Sequence, residues 1–195
     1  MRAMDLQRLC RALRDMGVDY ILVGGMAVEL AGYPTGTEDV DFAVTMRQFE
    51  NAMQKLNRDS RFRNVESLGT IGGAQFFVGD RWIEVDFLNP KLFQGRKSGD
   101  RFMAYVKRYR SKTTSLGPVA RPEVTWYMRL VTPDWEIYVQ KIFRDVRAGV
   151  PERTLEGARS IARVLGAEDV LKPRVEKVRD FLVKAKPEAG SALRE

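Results

Sequence analysis

Two short segments constrain this chain more than any others. Tyr20-Ile21-Leu22-Val23 is a continuous apolar run that stops at Gly24-Gly25, and Asp39-Val40-Asp41-Phe42-Ala43-Val44 opens by alternating acidic with apolar residues. The first reads as a buried strand entering a tight turn, with one or two helical turns from Met26 to Ala31 behind it. The second has the period of two expected of a strand, with Val40, Phe42 and Val44 on one face and Asp39 and Asp41 on the other. A chain of 195 residues, 44% of them hydrophobic, is long enough to bury such strands in a sizeable core.

Other elements follow from the same periodicities. Leu6, Leu9, Cys10, Leu13 and Met16 form a helical stripe that Gly17 can end. Thr45 and Gln48 are placed as a capping box for a helix carrying Phe49, Met53 and Leu56. Gln75 to Val78 and Trp82 to Leu88 predict a hairpin turning at Gly79-Asp80, in which Ile83, Val85 and Phe87 face one way and Glu84 and Asp86 the other. Phe102, Tyr105, Val106 and Tyr109 mark an amphipathic helix with Lys107, Arg108 and Arg110 off its apolar stripe. Gly117-Pro118 and Arg121-Pro122 read as loop, and Thr125 to Val131 as a strand. Thr132 and Pro133 are suited to start a helix from about Asp134 to Ala148, and further helices are expected at Glu152 to Leu165 and Glu168 to Lys184. The expected fold is α/β, a small mixed sheet flanked by helices, with residues 1–131 as the core and 132–195 as a C-terminal helical region.

Composition narrows the chemistry. There is no histidine, which excludes a Ser-His-Asp triad, a Cys-His dyad and a His-ligated zinc site. Cys10 is the single cysteine, so no internal disulfide forms and a reducing, cytoplasmic location is expected. No apolar run approaches the roughly 20 residues of a bilayer span. The net charge of +7 is local: Lys91 to Arg129 holds ten basic residues against Asp100 and Glu123, an excess that favours an anionic partner.

What remains is carboxylate chemistry. Side by side, the strands carrying Asp39, Asp41 and Asp86 would bring together three acids that repel one another unless cations join them. Magnesium takes such oxygen ligands, and a pair of ions can serve an in-line phosphoryl displacement without any imidazole. Gly24-Gly25 offers backbone N–H groups with no side chain in the way.

Val23-Gly24-Gly25, Asp39-Val40-Asp41-Phe42 and Val85-Asp86-Phe87, in that order, resemble the signature of the DNA polymerase β-like nucleotidyltransferase superfamily. Ala31 to Phe42 is similar to the AbiEii and MenT branch of toxin-like enzymes, with one departure: Thr35 stands where that branch commonly has Arg. Trp135 to Lys141 resembles the family helix whose lysine reaches the triphosphate, whereas Thr154 to Arg163 reproduces the later Asp-rich helix poorly. The resemblance covers about residues 20 to 145. It implies a nucleotidyltransferase fold that binds two Mg2+ (or Mn2+) ions through Asp39, Asp41 and Asp86, and an NTP through Gly24, Gly25, Thr37 and Lys141. Asp86 would also help deprotonate the acceptor. RNA, plausibly a tRNA 3′ end, is the acceptor implied, with Lys107, Arg108 and Arg110 as its contact and the protein as the toxin of a toxin-antitoxin pair with a cognate partner protein.

Alternatives stand beside these readings. The acceptor can be a small molecule or a protein side chain, or the fold can be a non-catalytic binding module, which Thr35 favours. Lys141 can pair with Asp145 along one helix face, Glu84 can be a fourth ligand or a solvated strand residue, Thr37 a strand-edge hydroxyl, and the basic helix an ordinary solvated face.

Overall fold

The structure is a computed structural model that describes residues 3–45, 48–68, 71–78, 80–89 and 101–184. Lys91, Arg96, Lys97 and Asp100 of the basic segment lie outside the described residues, as does Gly79 at the hairpin turn. The elements in chain order are α1 (Ala3–Asp15), β1 (Tyr20–Val23), α2 (Gly24–Leu30), β2 (Val40–Val44), α3 (Phe49–Arg58), β3 (Phe62–Leu68), β4 (Ile71–Val78), β5 (Arg81–Leu88), α4 (Arg101–Tyr109), β6 (Ser111–Thr114), β7 (Gly117–Ala120), α5 (Pro122–Val131), α6 (Glu136–Arg147), α7 (Thr154–Leu165) and α8 (Glu168–Lys184).

The strands form one mixed sheet in the order β3-β4-β5-β2-β1-β7-β6, so the architecture is the expected α/β, with more strands than the sequence suggested. β1 pairs with β2 antiparallel and with β7 parallel, and β2 pairs with β5 parallel. Both parallel pairings need crossovers, and the intervening helices supply cover for the sheet. Buried apolar residues from Leu6 in α1 to Leu182 in α8 make one cluster. Phe42 lies at its centre, meeting Tyr20 edge-on at 5.0 Å and Phe87 stacked at 5.8 Å between ring centroids. Cys10 is fully buried in it. Among the described residues no helix is long and apolar enough to cross a membrane.

Four local expectations are corrected. Residues 125–131 are not a strand but most of α5. Every residue from Val124 to Leu130 is buried, which removes the polar face that reveals a helix, and the Val, Thr, Trp and Tyr content mimics a strand. Pro122 in the first helical turn, after an extended Arg121, was the sequence signal for the helix start. Gly117-Pro118 is not loop: it opens β7, which pairs with the polar edge strand β6. Thr132 does not cap α6; it terminates α5, its hydroxyl donating to the Arg129 carbonyl at 3.1 Å. The Thr45–Gln48 capping box is absent: α3 starts at Phe49 without a side-chain cap, and the Gln48 Oε1 accepts the Asp19 backbone N–H at 3.1 Å. On α4, Phe102, Met103 and Val106 are buried while Tyr109 is exposed.

Candidate active site

The site is built where β1, β2 and β5 lie side by side. The register sets Val23 opposite Asp41 and Asp41 opposite Asp86, so both carboxylates stand on one sheet face on adjacent strands. Strands so paired are about 4.8 Å apart, within range for strong repulsion between like charges. The apolar partners of the same alternation, Val40, Phe42, Val85 and Phe87, are fully buried on the opposite face. Core packing therefore fixes the carboxylates, because slipping either strand by one residue would bury an acid.

The glycine pair is needed by this arrangement. Gly24 adopts φ +70°, and a Cβ there would fall 1.8 Å from the Asp41 Oδ2. The carboxylate of Asp41 thus lies directly over the Gly24 backbone. A Cβ on Gly25 would meet the Thr37 Oγ1 at 2.8 Å. Each glycine is explained by the close approach of a side chain, where the sequence suggested the approach of a phosphate. The Gly24 carbonyl accepts from the Thr125 hydroxyl at 3.2 Å, tying the start of α2 to α5.

Glu29 organises the loop before β2. Its Oε1 accepts the Thr37 backbone N–H at 2.8 Å and the Thr35 hydroxyl at 3.3 Å. Thr35 is buried, so the position where the resemblance expects an exposed basic side chain has become part of the loop's internal packing.

Gly24, Gly25, Thr37, Asp39, Asp41, Asp86 and Lys141 all line one cleft of about 210 Å³. Its other wall comes from α5 and α6. That wall adds residues the sequence reading did not single out: Thr125, Met128, Arg129, Tyr138 and Arg144. Arg129 and its neighbours were missed because a strand was expected there. Arg144 could have been found, since it follows Lys141 by three residues on one helix and so shares its face.

The electrostatics are those of partly compensated acids. Burial pushes the Asp41 carboxyl up to about 6, with Asp86 and Asp39 adding to the rise and Lys141 and Arg129 opposing it. Asp86 is likewise raised, first by burial, then by Asp39 and Glu84, against Lys141. Lys141 does not pair with Asp145: its Nζ lies 5.6 Å from the Tyr138 ring centroid. Asp145 is fully buried and instead takes the Arg129 guanidinium in a close ion pair, with the Trp126 indole N–H donating to the same oxygen at 2.8 Å. Burial lowers the Arg129 pKa, and Asp145 is the chief counterweight.

Among the described residues no three acidic side chains are arranged as a ready-made cation cage. The donor set nonetheless suits magnesium: it is oxygen only, and burial together with neighbouring carboxylates already raises the cost of ionising Asp41 and Asp86.

A second hollow of about 360 Å³ adjoins the cleft and shares Ile71 and Asp86 with it. Its lining includes Asn64, Glu66, Gln75 and Glu84 and, among the described residues, contains no cation. Gln75 accepts from the Arg63 Nε at 2.8 Å and the Asn64 Nδ2 at 3.0 Å, and its own amide donates to Glu84. Glu84 is therefore an exposed, hydrogen-bonded strand residue. A larger depression of about 510 Å³ around Met16, Lys55 and Arg58 shares no lining residue with the cleft or the hollow.

The basic helix lies elsewhere. Lys107 forms a close ion pair with Asp19, which precedes β1 at the end opposite Val23. The Arg110 guanidinium reaches the Tyr105 hydroxyl at 3.2 Å, Glu123 at 3.4 Å and the Ser160 hydroxyl at 3.2 Å, and Arg108 sits 5.1 Å from the Tyr109 ring centroid. None of the three lines the cleft.

No protein-family model matches the sequence, and no curated protein matches it. Among solved structures the chain is similar to a Thermotoga maritima protein provisionally described as a nucleotidyltransferase, at 17% identity and a TM-score of 0.43 over 76% of this chain and 91% of that one. It is also similar to the antibiotic-resistance factor ANT(2'')-Ia, at 17% identity and a TM-score of 0.40 over 93% of each chain.

Proposed function

We propose that the cleft transfers a nucleoside monophosphate from an NTP to an acceptor hydroxyl. The observation that carries this reading is the convergence of Gly24, Gly25, Thr37, Asp39, Asp41, Asp86 and Lys141, distant in sequence, on one cleft. In the reaction the acceptor oxygen bonds to the α-phosphorus, the bond to pyrophosphate breaks, and the acceptor proton passes to a carboxylate. Asp86 fits the last role, because its pKa is raised and it faces both the cleft and the adjoining hollow. Asp39, Asp41 and Asp86 would hold magnesium, which supplies charge neutralisation at the reacting phosphate. Lys141 would hold the phosphates, and Thr37 would border the nucleotide from the Glu29-pinned loop.

For the acceptor, the sequence resemblance favours RNA, plausibly a tRNA 3′ end, and with it a toxin of a toxin-antitoxin pair. A second reading is favoured by the hollow beside Asp86: its lining of Asn64, Glu66, Gln75 and Glu84, with no cation among the described residues, suits a neutral or cationic small molecule, or a protein side chain, better than a polyanion. The commitment of Lys107 and Arg110 to internal partners points the same way.

Incubating the protein with magnesium and each labelled nucleoside triphosphate, with total RNA, small-molecule alcohols or protein extract as separate acceptors, tests both readings. Label should move to an acceptor in the wild type, and Asp41→Asn should reduce transfer about 1,000-fold or more. Transfer indifferent to Asp41→Asn would place the activity outside this cleft, and no transfer to any acceptor offered would favour a non-catalytic binding module. Reversing the charges of Lys107, Arg108 and Arg110 should abolish RNA modification if that helix is the RNA contact. Unchanged RNA modification would remove the helix from the site.

A further inference from the structure

Three cations line the cleft, and they differ in what they already hold. Arg129 is buried and committed to Asp145. Lys141 acts on the carboxylates, being among the charges that hold down the pKa values of Asp41 and Asp86. Arg144 has no side-chain partner among the described residues. Its Nε is buried without a hydrogen-bond partner, and it makes no ion pair among the described residues. Its charge also disfavours the ionised form of Arg129 nearby.

This position is costly in the free protein. A desolvated guanidinium N–H without an acceptor is destabilising, and a second cation beside it adds repulsion. A polar group left in that state at the wall of a cleft is satisfied when an anion enters. The guanidinium's planar fork matches the paired oxygens of a phosphate better than a lysine does. Arg144 lies three residues after Lys141 on α6, roughly 4.5 Å along the helix axis and on the same face, so both side chains can meet one polyphosphate.

We propose that Arg144 is a nucleotide-binding residue that grips the β- and γ-phosphates of the substrate, the part that leaves as pyrophosphate. This inference rests on the nucleotidyl-transfer reading and assigns within it a phosphate-holding cation on α6, compensating for the uncharged, buried Thr35. Lys141 then serves the phosphate nearer the carboxylates, and Arg144 the two beyond.

The test is calorimetric binding of magnesium tripolyphosphate and magnesium pyrophosphate to the full chain, with no turnover required. The wild type should bind both, and Arg144→Gln should weaken binding about 10- to 100-fold. Arg144→Lys should recover part of the loss, and Arg147→Gln, on the exposed side of the same helix, should bind as wild type. Without ligand, Arg144→Gln should unfold at the same or a higher temperature than the wild type, because it removes an unsatisfied charge; a structural role would lower it. Wild-type affinity in Arg144→Gln, or a drop in its ligand-free melting temperature with Arg144→Lys binding as wild type, overturns the assignment of Arg144 alone. Failure of the wild type to bind tripolyphosphate, pyrophosphate or any NTP overturns the nucleotidyl-transfer reading itself.

Discussion

The cleft and the basic helix are both charge clusters in the sequence, and the fold treats them in opposite ways. Around α4 the cations close on local partners: Lys107 on Asp19, and Arg110 on Glu123, Tyr105 and Ser160. In the cleft, burial and neighbouring like charges make Asp41 and Asp86 resist ionisation, and the Arg144 Nε has no acceptor among the described residues. Charge that the chain neutralises internally is structural. Charge that it concentrates and leaves unsatisfied is a site waiting for a ligand.

The contrast can be broken first at the buried Arg129–Asp145 ion pair behind the cleft wall. Asp145→Ala should leave the buried Arg129 without its partner and cost about 3 to 5 kcal/mol. Thermal unfolding should fall by roughly 10 to 15 °C for a chain of this size. A loss as small as that of an exposed pair would mean that Arg129 finds its compensation in Asp41 instead.

The next test concerns uncompensated charge. A carboxyl whose folded pKa is raised is destabilising once ionised: the cost is absent below the unfolded value near 4, grows through the interval up to about 6, and is complete above it. In a chelator, Asp41→Asn should therefore be more stable than the wild type by about 1 to 3 kcal/mol at pH 7, and the advantage should vanish below pH 4. Denaturant unfolding of the two proteins across this range measures it, and magnesium at neutral pH should stabilise the wild type selectively. An advantage independent of pH would show that the gain does not arise from ionisation.

The smallest effect belongs to the basic helix. Lys107→Ala should cost no more than about 1 kcal/mol, because its pair with Asp19 is solvent-accessible, and the loss should shrink further in high salt. Retention of wild-type nucleotide binding in the same variant would sharpen the distinction between the two clusters.

Legibility in the sequence followed the same physics. The strands that hold the acids could be read because one face is core and the other is not, and that asymmetry is written as alternation in Val40 to Val44 and Trp82 to Leu88. α5 could not, because burial on all sides erases the helical period between Val124 and Leu130. β6 and β7 were missed for the reverse reason. Ser111 to Thr114 is polar and lies at the sheet edge, so its pairing with β7 comes from backbone hydrogen bonds that leave little trace in side-chain pattern.

By itself the sequence determined the acids, their strand faces and the glycines beside them, because residue type and a period of two are local properties. It also determined that no imidazole takes part. The tertiary structure decided which charges meet: that Asp41 stands opposite Asp86 and over Gly24, that Asp145 turns to Arg129 and away from Lys141, that Lys107 faces Asp19 beyond the far end of β1, and that Arg144 is left over. Pairings of that kind depend on register and helix placement across the whole core. They are long-range outcomes of packing, and no window of the chain contains them.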